Sequence, residues 1–366
     1  MGLTPTLVDD TGALPLPWLA VPLAAVLASH RGHALLVHAA PGTGAMAFAL
    51  TLAQAWLCEA DGPPASRPGV PHGPCGRCGS CKLFQSHLHP DLTVLLPETL
   101  RREQGWPLPD DKNEGDDPNR KPSRQIRIAE VRLLIDRTTR TSARGRGKVA
   151  LLHPADVLNA QSANALLKTL EEPPAGTRLL LTTADPAGLL ATVRSRCQQL
   201  RLAEPATEVA VAWLAGQGLD SAADAQVLLA ACSGRPLDAL ALLQAGIDAA
   251  AWTALPKAVA HGHASALAGW PVPRALDAMQ KLCHDALART SGGGTRYFPQ
   301  TAVPANAQAT ALVAWSAELR RVARHSEHPW SEALLLEALV RAGAAALAPA
   351  VRRGGAAARG LATLSA

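Results

Sequence analysis

Residues 34-ALLVHAAPGTGAMAFALTLAQAWL-57 run from an aliphatic pentapeptide through a glycine-containing turn into a segment of helical spacing. Strand, glycine turn and helix in that order form the setting of a phosphate-binding loop, GxxxxGK[ST]. In the matching register the chain offers Ala39, Gly44, Ala45 and Met46, so only the second glycine survives. The missing lysine would reach terminal phosphates, and the missing hydroxyl would hold magnesium. Gly42, Thr43 and Gly44 can still turn the backbone, while Ala45 and Met46 supply neither function. A second element is absent as well. After 148-KVALL-152, where an acidic pair would handle magnesium and water, stand His153 and Pro154, with Asp156 displaced from the strand end. The stretch keeps the shape of a nucleotide loop without its chemistry, so no functional ATP site and no intrinsic ATPase activity are expected.

Three more aliphatic runs, 92-LTVLL-96, 148-KVALLH-153 and 178-RLLLTT-183, are spaced like strands of a parallel sheet with helices between them. After the third strand, Asn159 can cap a helix whose Ala163, Leu166, Leu167 and Leu170 share one face and which Pro173 ends. The polar segment 101–124, rich in Pro and Asp, reads as an exposed loop. Beyond residue 204 the strand signal disappears, and helical segments continue with breaks near Gly234 and at 291–306. The fold class expected is α/β plus all-α: an α/β domain over 1–204, a small helical domain over 205–246 and a larger helical domain over 247–366.

Composition limits the function. The chain has 366 residues, 48% of them apolar, and a net charge of +5, compatible with nucleic acid without arguing for it. The apolar stretch 14-LPLPWLAVPLAAVLAS-29 contains three prolines, lacks a preceding basic residue and is shorter than the ~20 residues of a membrane span. It reads as a buried helix opening at Pro22. No membrane association and a cytoplasmic location are expected.

Of seven cysteines, Cys232 and Cys283 read as buried apolar residues, and four others cluster: Cys58, Cys75, Cys78 and Cys81. Two successive CxxC steps in 75-CGRCGSC-81 bring three thiolates to one turn, and Cys58 supplies a fourth corner. Four thiolates make a closed structural zinc site with no open position for catalytic water. His87 and His89 are competing ligands, and a redox CxxC would need only two cysteines.

The run 159-NAQSANALLKTLEEPPAGTRLLLTTADPAGLLATVRSRCQQL-200 resembles the clamp-loader branch of the AAA+ family, as does the CGxCxxC core followed by 89-HPD-91. The resemblance is strongest over residues 34–200. It implies an AAA+ parallel-sheet core with an inserted zinc module (58–81), a small helical lid and a C-terminal helical collar. Ser195, Arg196 and Cys197 match the family's Ser-Arg-Cys motif. Arg196 then matches the arginine finger offered in trans to ATP on a neighbouring subunit; Ser195 would orient the turn and Cys197 would pack. Such fingers are worth roughly 10³–10⁵ in rate. Thr183 falls in the sensor-strand region, and the slot of a second sensor arginine holds Leu237, with Arg235 two residues earlier. The implied role is that of a rigid, non-hydrolysing component of a DNA-directed DNA polymerase holoenzyme. Its partners would be the delta and gamma/tau clamp-loader subunits in a hetero-oligomer, the sliding clamp as cargo, and primed DNA.

In 124-RQIRIAEVRLLIDRTTRTSARGRGK-148, Ile128, Val131, Leu134 and Ile135 form an apolar stripe, while Arg140, Arg144 and Arg146 follow on a loop. These arginines are either a solvated face or contacts to DNA phosphates. Leu334, Leu335, Leu336 and Leu339 are core or interface residues of the collar. Two alternatives stand beside this reading: an active AAA+ clamp-loader ATPase, and a zinc-dependent DNA-binding module.

Overall fold

The aliphatic runs form a five-stranded, all-parallel sheet in the order β2-β3-β4-β1-β5. The computed structural model describes residues 7–60, 73–107, 121–219, 221–325 and 331–349. The strands are β1 (Ala34–His38), β2 (Leu92–Leu95), β3 (Lys148–Leu152), β4 (Thr177–Thr183) and β5 (Gln198–Arg201). The helices that follow one another along the first part of the chain are α1 (Ala20–Ser29), α2 (Ala45–Leu57), α3 (Gly79–Gln85), α4 (Glu98–Gln104), α5 (Ile128–Thr139), α6 (Ala160–Glu171) and α7 (Ala191–Arg194). They continue as α8 (Thr207–Ala215), α9 (Ala222–Ala231), α10 (Pro236–Gln244), α11 (Ala249–Ala260), α12 (Val272–Thr290), α13 (Ala309–Arg324) and α14 (Glu332–Leu347).

Side chains alternate across a strand, so each strand feeds two cores. Leu35, Val37, Leu151 and Leu180 pack with residues of α1 and α2, including Leu23, Phe48 and Leu52. Leu36, Ala150, Leu152, Leu179 and Leu181 face the other way, onto Val131 and Leu134 of α5 and Ala163, Leu166 and Leu170 of α6. Burial on both faces is why the central strands read as continuous aliphatic runs. β5 was not legible as a strand: its QQLR sequence has no such run, because it sits at the sheet edge with most of its residues exposed.

Two boundaries differ from the sequence reading. Residues 101–104, expected in an exposed loop, belong to α4, and Arg101 is buried against Glu130 at 3.0 Å. Glu98 is also buried, and pairs with Arg127 at 2.9 Å and Arg102 at 2.6 Å. Paired charges can be buried where isolated ones cannot, so the polar sequence concealed a helix. Residues 108–120 of that expected loop lie outside the described residues. The N-terminal helix starts at Ala20 after a 3-10 turn at Pro17–Leu19, just ahead of Pro22.

The chain divides into two units: residues 1–225 with 234–246, and residues 226–233 with 247–366. In the first, α8 packs against α10 and against the 3-10 turn at Pro17–Leu19. Trp213 meets Trp18 edge-on at 5.2 Å, and Leu237 packs against the α2 core. The second unit holds α11 to α14. Its Trp252 stacks on Phe298 at 4.7 Å, and Gly343 lets α14 lie close on Trp315 of α13, where an added Cβ would be 2.6 Å from the indole. Leu336 and Leu339 are core residues there, whereas Leu334 is exposed. Cys232 and Cys283 are buried, and Cys283 donates to the Leu312 carbonyl at 3.2 Å. Among the described residues no single helix is long and apolar enough to cross a membrane.

Candidate functional site

In the first unit, a cavity of about 1130 Å³ opens at the C-terminal ends of β1, β3 and β4, the position where parallel α/β sheets bind ligands. Its wall includes Ala39–Gly42, Gly44–Ala47, His153, Asp156 and Thr182–Ala184. Gly42 and Gly44 both have positive φ, 72° and 104°. The loop is held from outside: Trp18 Nε1 donates to the Thr43 carbonyl at 2.8 Å, and the Leu237 amide donates to the Gly42 carbonyl at 3.1 Å. A side chain at either glycine would also displace a neighbouring side chain. A Cβ on Gly42 would lie 2.5 Å from Asp238 Oδ1, and one on Gly44 would lie 2.5 Å from Leu16 Cδ1.

The charged groups that line this cavity are few. Among its described lining residues there is no lysine or arginine, while Asp9 and Asp156 contribute carboxylates. Met46 is buried in the α2 core. His153 is half-buried, its Nδ1 lies 2.6 Å from Thr182 Oγ1, and desolvation pulls its pKa down to about 4, so the imidazole is neutral at pH 7. Asp156 is occupied by the end of β4: Thr183 Oγ1 donates to its Oδ1, and the Ala184 amide donates to Oδ2 at 3.1 Å.

The Ser-Arg-Cys segment follows α7. Cys197 is buried, which pushes its thiol up to about 12 and makes it a packing residue. Ser195 Oγ donates to the Thr192 carbonyl at 3.2 Å. The Arg196 side chain is a third exposed and lies against Glu171 at the end of α6, with Nε donating to Oε1 at 2.6 Å and Nη1 to the Thr192 carbonyl at 2.9 Å. Its guanidinium is thus held near the surface by Glu171.

The four cysteines converge: their sulfurs all lie within 4.8 Å of one another, with the Cys58–Cys78 and Cys75–Cys81 pairs at 3.9 Å. Zn–S bonds of ~2.3 Å in a tetrahedron require sulfurs ~3.8 Å apart, so the set fits zinc. Backbone amides also point at the sulfurs. Cys75 N donates to Cys58 Sγ at 3.4 Å, Cys78 N to Cys75 Sγ at 3.4 Å, and Cys81 N to Cys78 Sγ at 3.4 Å. Such donors favour thiolates. A hydrogen bond from Cys81 draws Cys58 down to about 4 against the opposing effect of burial. The histidines are otherwise engaged. His89 Nδ1 accepts from the Asp91 amide at 3.1 Å and its Nε2 lies 3.1 Å from Ser80 Oγ, while His87 stacks on Trp106 at 4.0 Å.

Of the three loop arginines, Arg140 pairs with Asp136 at 2.7 Å. Arg146 donates to the Glu59 carbonyl at 3.0 Å, and Arg144 Nε donates to Glu59 Oε1 at 2.5 Å and Ser80 Oγ at 2.9 Å. Arg144 holds the Glu59 carboxyl down at about 2. Sequence reasoning did not find Glu59, Ser80 or the role of Asp91; the only signal was their position beside the cysteines and in 89-HPD-91.

Residues 23–206 match the family described as DNA polymerase III, delta subunit. The DNA polymerase III subunit delta' of Escherichia coli is 31% identical over 284 residues, covering 72% of this chain and 76% of that relative. The chain belongs to the delta-prime family of DNA polymerase III subunits. Delta' of Yersinia pestis is 39% identical over 54% of this chain and 51% of its own length. DNA polymerase III subunit tau of Salmonella typhimurium is 34% identical over 46% of this chain, but that match spans only 21% of tau. The family match ends at residue 206, so the cysteine cluster, the loop and the Ser-Arg-Cys segment all fall within it.

Proposed function

We propose that this chain is the non-hydrolysing subunit of a DNA polymerase III clamp loader and supplies Arg196 in trans to ATP bound on a neighbouring subunit. The observation that carries this reading is the cavity at Gly42–Met46. It retains the loop but offers phosphates no lysine or arginine among its described lining residues, a neutral His153, and an Asp156 already satisfied by Thr183 and Ala184. Burying a triphosphate without compensating cations or metal is strongly unfavourable. Arg196 is the complementary feature. A fixed guanidinium near the surface can exchange Glu171 for a neighbour's terminal phosphate and stabilise charge developing there during transfer.

In this reading the partners are the delta and gamma/tau subunits, the cargo is the sliding clamp, and the substrate of the assembly is primed DNA. The lid (205–246) and collar (247–366) would carry subunit contacts. Zinc at Cys58, Cys75, Cys78 and Cys81 is structural: four thiolates leave no ligand position for substrate. Arg140, Arg144 and Arg146 enter as DNA-backbone candidates, though each has a protein partner that a phosphate would have to displace.

The test is DNA-dependent ATP turnover by the loader reconstituted with Arg196→Ala, with assembly checked by gel filtration. A loss of roughly 10³-fold or more at the site facing this chain is expected. Unchanged turnover in an intact assembly would reduce Arg196 to a surface ion-pair residue. Saturable ATP binding by the isolated chain would overturn the non-hydrolysing assignment.

A further inference from the structure

The cysteine ligands come from two separate pieces of chain, Cys58 at the end of α2 and Cys75–Cys81 leading into α3. One side chain from neither piece touches both. Arg144, on the loop before β3, donates through Nε to Glu59 Oε1 at 2.5 Å and to Ser80 Oγ at 2.9 Å. Glu59 directly follows the ligand Cys58, and Ser80 directly precedes the ligand Cys81. The guanidinium also fills the space over Gly79, where an added Cβ would lie 2.7 Å from Nη2. Arg144 is itself fixed: Asp91 accepts from its amide at 2.9 Å, from the Ala143 amide at 2.7 Å and from Ser142 Oγ at 3.0 Å. His89 closes the circuit by linking the Asp91 amide to Ser80 Oγ.

We infer that Arg144 is the positioning residue of the cysteine centre, bracing its two ligand-bearing segments, and that Asp91 holds it in place from the edge of the sheet. The inference rests on the zinc reading above. Its chemistry is suited to that metal, because Zn²⁺ with four thiolates carries a net charge of −2, and a guanidinium beside it offsets part of that charge. One Nε–H shared between the neighbours of two ligands, on a planar group that also packs over Gly79, fixes their separation in a way a flexible point charge does not. Outer partners of this kind are worth about 10–100-fold in metal affinity.

The experiment uses the purified full chain and measures zinc content, then zinc transfer to a chromogenic chelator. The variants are Arg144→Ala, Arg144→Lys, Glu59→Gln and Arg140→Ala, the last being on the same loop but paired with Asp136. Zinc in the wild-type chain at one equivalent is the premise; its absence would overturn the zinc reading itself. Given zinc, Arg144→Ala is expected to weaken retention about 10–100-fold. Glu59→Gln should weaken it less, Arg140→Ala should match wild type, and Glu59→Gln should add little to Arg144→Ala. Arg144→Lys should recover only part of the loss. Retention by Arg144→Ala within twofold of wild type, or an equal loss in Arg140→Ala, would overturn the bracing role. Full rescue by lysine would assign the effect to charge alone and overturn it too. If Arg144→Ala does not fold, Glu59→Gln and Arg144→Lys carry the same comparison.

Discussion

His153 stands where a magnesium-handling carboxylate would be needed, and its protonation state bears on whether the cavity can attract phosphate at all. Burial lowers its pKa from 6.5 to about 4, a difference of roughly 3 kcal/mol between the folded and unfolded chains. The sign follows from proton counting. Between these values the unfolded imidazole carries a proton and the folded one does not, so falling pH favours unfolding. The contribution is fully present above about pH 6.5, declines as pH falls towards 4 and then levels off. The resonances of a chain labelled with ¹³C-histidine, with His153 assigned by its loss in His153→Asn, should show this group neutral down to about pH 4.5. Denaturant titrations from pH 7.5 to 4.5 should find the wild type losing about 2.5 kcal/mol more than His153→Asn over the same range. A His153 resonance titrating near 6.5, with parallel stability profiles, would refute the desolvation of this imidazole.

Two further outcomes follow from particular contacts. Gly44→Ala forces a side chain into a φ of 104° and against Leu16; a cost of about 1–3 kcal/mol is expected, seen as a lowered thermal midpoint of the full chain. Asp285 is buried and accepts from the Arg296, Tyr297 and Phe298 amides at 2.8–2.9 Å, so Asp285→Ala should destabilise the second unit by about 2–4 kcal/mol. Fluorescence of Trp252, which stacks on Phe298 and donates to the Tyr297 carbonyl, should report the loss, and Asp285→Asn should be milder.

Much of this was written in local pattern. Strand and helix periodicity, the Asn159 cap, which accepts from the Ser162 amide at 2.8 Å, and the CxxC spacing are set by nearest neighbours, so they are legible in one dimension. The absence of lysine at position 45 is likewise a fact of sequence, because no fold can restore a missing amine. Tertiary structure decided what depends on residues far apart in the chain. β5 forms because β1 offers an unpaired edge, not because QQLR favours a strand. Helix α4 forms around charges whose partners, Arg127 and Glu130, arrive about thirty residues later. Arg144 looked like one positive charge among three until folding placed Glu59, 85 residues away, against it. A side chain's identity fixes the interactions it is able to make, and only the folded chain chooses which partner desolvates it.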